Sequence, residues 1–265
     1  WPSLTAMVGF WATLALNIPD FTRFARSQKD QIVGQAIGLP LPMALLALMS
    51  VVVTSATIVI YGKAIWGPVD LAGRFTGIGV GLALLVLTLD TMCCNLAANL
   101  VGPAYDFASL SPKRISYRTG GLITAFIALL AMPWKILEST NGYIFTWLIG
   151  YSALLGPIAG IMLVDYYFLR RTRLDTAALF AERGEYAYRG GWNPAAAIAL
   201  ALGVLPNLPG FLNAAFPQTF AGVPEAFKLI YTYAWFAGLA ISALVYWLMM
   251  KFTPQRTPVA GAARA

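Results

Sequence analysis

Seven apolar runs, separated by loops that hold nearly all the charge, constrain this chain more than any other feature. They lie at about 3–19, 39–61, 77–102, 119–134, 143–168, 194–216 and 228–250. A helix needs roughly 20 apolar residues to cross a bilayer, and all but the short fourth run approach or exceed that length. Hydrophobic residues make up 59% of the 265 and charged residues 11%, where a soluble domain carries roughly 25% charged residues. The fold class expected is therefore an all-α polytopic membrane protein. Prolines refine the boundaries. Pro19 closes the first run, and Pro40 and Pro42 fall in the first turn of the second, where a missing N–H costs little. Pro206 and Pro209 would break the sixth run unless neighbouring groups satisfy the freed carbonyls. Trp66, Trp134, Trp192 and Tyr231 sit near run ends, where aromatic belts form.

The loop charges orient the runs. Loops after the odd-numbered runs hold Arg23, Arg26, Lys29, Lys113, Arg114, Arg118, Arg170, Arg171, Arg173, Arg183, Arg189, Lys251, Arg256 and Arg264. The other loops hold only Lys63, Arg74, Lys135 and Lys228. By the positive-inside rule the first set is cytoplasmic, so the C-terminus lies inside and the chain starts outside. The net charge of +7 thus reports topology and gives no nucleic-acid footprint. A polytopic chain most simply starts inside, so an odd number of further spans is expected upstream. The opening WPSLTAM has no initiator methionine and no charged signal-peptide region, and reads as the start of a piece of a longer protein. The loop 170–193 is expected to be a cytoplasmic linker with a short interfacial helix. The tail 252–265 has too little apolar mass to pack and is expected to be a disordered cytoplasmic segment.

Several chemistries are excluded. With no histidine, imidazole catalysis and histidine metal sites are absent. Two adjacent cysteines make no disulfide framework and no CxxC spacing. No Gly-rich phosphate loop is present, which argues against an ATP-driven pump. An intramembrane enzyme would need a nucleophile with a base, and Cys93 or Cys94 near Asp90 is the only such candidate.

The stretch 88–107, TLDTMCCNLAANLVGPAYDF, carries polar residues inside the third apolar run. At helical spacing Asp90, Cys93, Cys94 and Ala97 share one face, and Asn95, Asn99, Gly102 and Asp106 share another. An ionised Asp at the bilayer centre costs roughly 2.5–3.5 kcal/mol on insertion scales. Such stripes line a pathway, bind something, or hydrogen-bond neighbouring helices.

Four motifs give the chain a family likeness: GFWATLALNIPDFTRFAR (9–26), NLAANLVGPAYDF (95–107), GPIAGIMLVDYYFLRR (156–171) and GVLPNLPGF (203–211). Together they resemble the nucleobase–cation symport family, which includes hydantoin, allantoin, uracil and cytosine permeases. The resemblance implies the C-terminal part of a LeuT-like five-plus-five inverted repeat plus two extra helices. The seven runs would be helices six to twelve, residues 1–251 would form the transmembrane transporter domain, and helices one to five would lie outside this chain. It further implies cation-coupled uptake of a small heterocycle by alternating access, with no enzymatic activity, in a bacterial inner membrane. Partners would be that heterocycle, the lipid bilayer and the absent helices; nothing in the sequence bears on oligomeric state.

The same resemblance assigns residues. Trp11 matches a tryptophan that lies against the substrate ring, and Phe10 supplies the backbone beside it. Asn99 matches the asparagine that hydrogen-bonds the ligand, a role suited to an amide's paired donor and acceptor. In a sodium-coupled member, two adjacent hydroxyl side chains and a carbonyl one turn earlier hold the ion. Here those positions are Cys93, Cys94 and Asp90. A thiol is a poor ligand for a hard cation, so no metal ligand is firmly assigned. The alternatives are H⁺ taken up by Asp90 and Na⁺ near Asp90, Cys93 and Cys94; a third is that Asp90 is a structural acid. Asp20 and Asp106 are read as caps or water-facing groups, Asp165 as the partner of a nearby Arg, and Gly156 and Gly160 as a close-packing pair. The rival to transport is a channel, or another membrane protein with a structural polar helix.

Overall fold

The computed structural model describes residues 1–139, 142–181, 184–188 and 191–252. The expected tail at 252–265 therefore falls outside the described residues, apart from Phe252. In chain order the α-helices are α1 (Pro2–Asn17), α2 (Pro19–Thr22), α3 (Gln28–Gly38), α4 (Pro40–Tyr61), α5 (Pro68–Ala72), α6 (Ile78–Asn95) and α7 (Val101–Leu110). They continue as α8 (Tyr117–Leu130), α9 (Pro133–Leu137), α10 (Ile149–Leu163), α11 (Pro194–Val204), α12 (Leu208–Ala215), α13 (Glu225–Thr232) and α14 (Ala234–Phe252). The π-helical turn Leu96–Leu100 joins α6 to α7, while Gly142–Leu148 and Val164–Leu169 flank α10. The 3₁₀ turn Leu205–Asn207 joins α11 to α12.

Among the described residues, five continuous helices are long and apolar enough to cross a membrane: Gln28–Tyr61, Ile78–Leu110, Gly142–Leu169, Pro194–Ala215 and Ala234–Phe252. The helices at the first and fourth runs are shorter, with 16 residues in α1 and 14 in α8. Other differences from the sequence reading have local causes. Ser27 accepts a hydrogen bond from the Asp30 amide at 3.1 Å, and this cap starts α3 in what reads as a loop. The third run continues through Pro103 to Leu110 rather than stopping there. The seventh divides at Tyr233 into α13 and α14. Pro206 and Pro209 produce one tight turn, and the helix continues past it. The loop 170–193 forms no interfacial helix among its described residues, only the 3₁₀ turns Ala178–Phe180 and Glu185–Ala187.

The chain divides into two compact units, Asn17–Ala131 on the one hand and Trp1–Leu16 with Met132–Ala265 on the other. In the latter, α10 packs on α14 without room for side chains between them. A Cβ at Gly156 would lie 2.5 Å from the Trp235 carbonyl oxygen, and Gly160 sits as closely on Leu239. This is the small-residue packing expected of that pair. Pro157, buried between them, is seated against Gly203 and Gly238, and its carbonyl accepts from Ser242 Oγ at 2.9 Å. The α1 helix is tied in by Thr5 Oγ1, which donates to the Thr232 carbonyl at 2.7 Å, and by Ser152 Oγ, which donates to the Thr5 carbonyl at 2.9 Å.

At the end of the α10 span, Arg170 donates from Nε to Asp165 at 2.6 Å, from Nη1 to Glu185, and from Nη2 to Tyr188 at 3.0 Å. Its guanidinium lies 4.2 Å from the Tyr186 ring centroid. Burial works against the Arg170 charge, but the hydrogen bond and charge of Asp165 outweigh it and hold the group protonated. Asp165 also accepts from Tyr246 at 2.8 Å. The Arg partner expected for Asp165 is thus present, and the network fastens the loop after α10.

In the other unit, α7 packs on α8 through Gly120, where a Cβ would lie 2.5 Å from the Ala104 carbonyl oxygen. Arg23 lies over the Tyr105 ring at 4.3 Å, and Tyr105 in turn contacts Tyr117 with centroids 4.7 Å apart. The α4 helix ends at Gly62, whose φ of 72° is the left-handed conformation that favours glycine at a C-cap.

Candidate functional site

The π-helical turn Leu96–Leu100 organises the polar stretch. Its backbone bonds skip one residue further than in an α-helix, as in the Val101 amide donating to the Leu96 carbonyl. Pro103 comes next, with no N–H to return to the carbonyl of Asn99, four residues before it. A widened turn and a proline therefore bracket Asn99.

The side chains on this helix pair along it. Asn99 Nδ2 donates to Asn95 Oδ1 at 2.7 Å, and Cys94 Sγ donates to Asp90 Oδ1 at 3.7 Å. Within the two stripes read from helical spacing, Asp90 with Cys94 and Asn95 with Asn99 are each joined by a contact one turn apart, while the π turn takes Gly102 and Asp106, which follow it, out of α-helical register with Asn95. Asp90, Cys93, Cys94, Asn95 and Asn99 are all exposed within this chain. The Asn99 amide has given one N–H to Asn95, so its Oδ1 remains as an acceptor. Asn95 has given its oxygen and retains its NH₂ as a donor. An acceptor and a donor side by side can address an N–H/C=O edge of a ring. Asn95 stands in the sequence stripe, but its pairing with Asn99 becomes visible only with side chains in place.

Asp106 lies beyond the turn, and its carboxylate hydrogen-bonds the Asn17 side chain. Asp20 sits in the first turn of α2, but the N-cap is Ile18 and no side chain caps this helix, so the cap expected of Asp20 is not formed. No group of three or more His, Cys, Asp or Glu that could hold a metal ion occurs among the described residues. Along this helix Cys93 and Cys94 offer thiols and Asp90 a carboxylate; of these only the carboxylate is an oxygen donor of the kind a hard cation takes.

Phe10 and Trp11 belong to the other unit and lie on α1. Their rings meet edge to face, with centroids 5.4 Å apart at 84°. Gly9, just before them, has no space for a Cβ, which would come within 2.6 Å of the Leu148 carbonyl oxygen. One turn on, Thr13 Oγ1 and Tyr151 OH share a hydrogen bond of 2.6 Å. The α1 backbone beside Phe10 and Trp11 is thereby held against the α10 span. Tyr151 is not a residue that sequence reasoning singles out, because an aromatic in an apolar run gives no sign of its hydroxyl's partner.

The family model for permeases of cytosine and purines, uracil, thiamine and allantoin matches residues 1–238. A purine-uracil permease of Arabidopsis thaliana is 44% identical over 253 residues, covering 94% of this chain and 42% of that protein. An allantoin permease of Bacillus subtilis is 43% identical over 259 residues, covering 96% of this chain and 50% of that protein. The inward-facing structure of Mhp1 superposes with a TM-score of 0.63 at 26% identity, covering 96% of this chain and 52% of that one. The chain thus spans about half the length of the relatives it matches. Apolar helices of membrane-crossing length and relatives that are named permeases, rather than enzymes, make it an integral membrane protein. The chain belongs to the family of permeases for cytosine and purines, uracil, thiamine and allantoin.

Proposed function

We propose that this chain forms part of a secondary-active transporter that carries a nucleobase-like heterocycle, such as allantoin, hydantoin, uracil or cytosine, by alternating access. The observation that carries this reading is the Asn95–Asn99 amide pair at 2.7 Å on a helix apolar enough to cross a membrane. It offers adjacent acceptor and donor atoms, which a ring with an N–H/C=O edge satisfies and a simple ion does not. Trp11 supplies a flat aromatic face for the ring, with the Phe10 backbone beside it. The names of the relatives, purine-uracil and allantoin permease among them, support the same substrate class.

The transport is coupled to a cation, and the donor chemistry favours H⁺. Asp90 is ionisable and lies in the same stripe as Cys93 and Cys94, the positions that the family resemblance assigns to the coupling ion, and the two thiols offer sulfur instead of oxygen there. The protein sits in a bacterial plasma membrane with its C-terminus in the cytoplasm, a topology supported by the crowding of cations into alternate loops. The test is uptake of a panel of labelled heterocycles by cells expressing the full-length parent, with and without Na⁺ and with a protonophore. Saturable uptake of one ring that survives Na⁺ removal and collapses with the protonophore is expected. Sodium-dependent uptake would overturn the proton assignment alone. Non-saturable flux, or none, would overturn the transporter reading.

A further inference from the structure

The Gln28–Tyr61 helix is longer than a membrane requires. Its 34 residues rise about 51 Å at 1.5 Å each, against a hydrocarbon core of roughly 30 Å. The 22 residues of α4 reach about 33 Å and cross such a core alone. This leaves α3 outside the core, joined to the span through Leu39, Pro40 and Pro42. Neither proline can donate to the carbonyl four residues before it, that of Ala36 or of Gly38. Leu39 departs from ideal helical angles, with φ −101° and ψ −56°. The joint is the weak point of the long helix, and bending concentrates at such points.

The faces of α3 differ. At roughly 100° per residue, Ile32, Val33, Ala36 and Ile37 fall within an arc of about 140°, with Lys29 inside the same arc near its start. Gln28, Gln31 and Gln35 occupy the opposite face, where Gln35 Nε2 donates to Gln31 Oε1. Asp30 stands at the edge of the arc in the first turn, where a carboxylate complements the helix dipole. Ile32, Val33 and Ile37 are each about half exposed, so their own unit leaves the arc open. Arg26, just before the Ser27 cap, and Lys29 make no ion pair among the described residues.

We propose that α3 bends at the Leu39–Pro42 joint and lies in the membrane–water interface, its apolar arc against the acyl boundary and Arg26 and Lys29 on the phosphates of anionic lipids. An amphipathic helix with cations beside its apolar face binds such a surface through buried apolar area and charge together. Lys29 serves despite its place in the arc, because its stem lies along apolar surface while the ammonium rises to the headgroups. Lipid is the occupant because α4 holds α3 at the bilayer surface and the unpaired charges beside the arc are cationic. An apolar helix of the same bundle would have no use for those charges. The inference needs only that α4 crosses a membrane, and does not rest on the substrate, the coupling ion or the sidedness.

The test is hydrogen exchange of the backbone amides of 28–38, read by mass spectrometry on the full-length parent in nanodiscs. One set of discs holds phosphatidylcholine alone, the other phosphatidylcholine and phosphatidylglycerol in equal parts. A disc exposes both membrane faces, so the reading is independent of orientation. Exchange is expected to be about tenfold slower with phosphatidylglycerol. The double substitution Arg26→Gln with Lys29→Gln is expected to remove that difference, and Ile32→Ser with Ile37→Ser to speed exchange in both discs. All four positions are exposed, so these variants leave the packing of the span intact. Equal exchange in the two discs, a difference that survives loss of Arg26 and Lys29, or exchange unaltered by the Ile32 and Ile37 substitutions would each overturn the proposal. So would equal protection in a non-ionic detergent and in the anionic discs, which would mean that the rest of the parent chain covers the arc.

Discussion

Two helices of similar length and equal mean hydropathy, 1.8 over their most apolar windows, show opposite surroundings. In Gly142–Leu169, 56% of the window is buried inside the chain; in Ile78–Leu110, none of it is. The first satisfies its polar groups through other helices, with Ser152 bonded to α1, Pro157 accepting from Ser242, and Asp165 held by Arg170 and Tyr246. The second pairs Asp90 with Cys94 and Asn95 with Asn99 along its own axis. Apolar composition thus identifies a segment that avoids water without saying whether lipid, protein or ligand replaces it. A helix already satisfied by its own unit serves as framework. One whose polar groups between Asp90 and Asn99 meet only each other has capacity left there for something else.

The largest expected effect comes from breaking the framework. Gly156→Leu drives a side chain into the Trp235 backbone and should destabilise the full-length parent by about 3 kcal/mol, read from its unfolding midpoint. Gly81→Leu, at a position with nothing within 4 Å, should change stability by less than about 0.5 kcal/mol. Equal losses at the two glycines would erase the contrast. Next in size, Asn99→Leu should lower uptake of the preferred heterocycle at least tenfold, about 1.4 kcal/mol, and leave the unfolding midpoint unchanged. A lower midpoint with normal uptake would make Asn99 a structural residue instead.

Ser242→Ala should behave in the reverse manner. It removes the 2.9 Å bond to the Pro157 carbonyl, and a stability loss of about 1 kcal/mol with unaltered substrate affinity is expected. The smallest change is the double substitution Cys93→Ser with Cys94→Thr. Oxygen then replaces sulfur at both positions, and a stimulation of uptake by Na⁺, on the order of a few-fold, is expected with little change in stability. Uptake indifferent to Na⁺ in that variant would show that the thiols are not what sets the choice of ion.

Much of the fold was legible because burial in an apolar medium leaves a direct trace in composition. The runs at 143–168 and 194–216 nearly coincide with Gly142–Leu169 and Pro194–Ala215. What escaped depends on single hydrogen bonds. The α3 helix owes its start to one Ser27 cap, and the Tyr233 break and the π-helical turns shift the register of a backbone whose residue types remain equally apolar. In the candidate site, the chemical types were legible: two amides in one stripe, thiols beside a carboxylate, and adjacent aromatics at Phe10 and Trp11. The partners were not, since the pairing of Tyr151 with Thr13 is encoded by packing.

The turn at Leu96–Leu100 is an α-helix with one residue let in, and each added residue rotates the rest of the helix by about 100°. The direction in which Val101–Leu110 faces is thus set by a count of residues rather than by their kinds. Deleting any one of the five would leave a helix just as apolar, but it would swing Ala104 away from the Gly120 contact. Two chains with matching side chains and one residue of difference in this turn would present different walls to whatever lies alongside. For this segment, length is itself a specificity determinant.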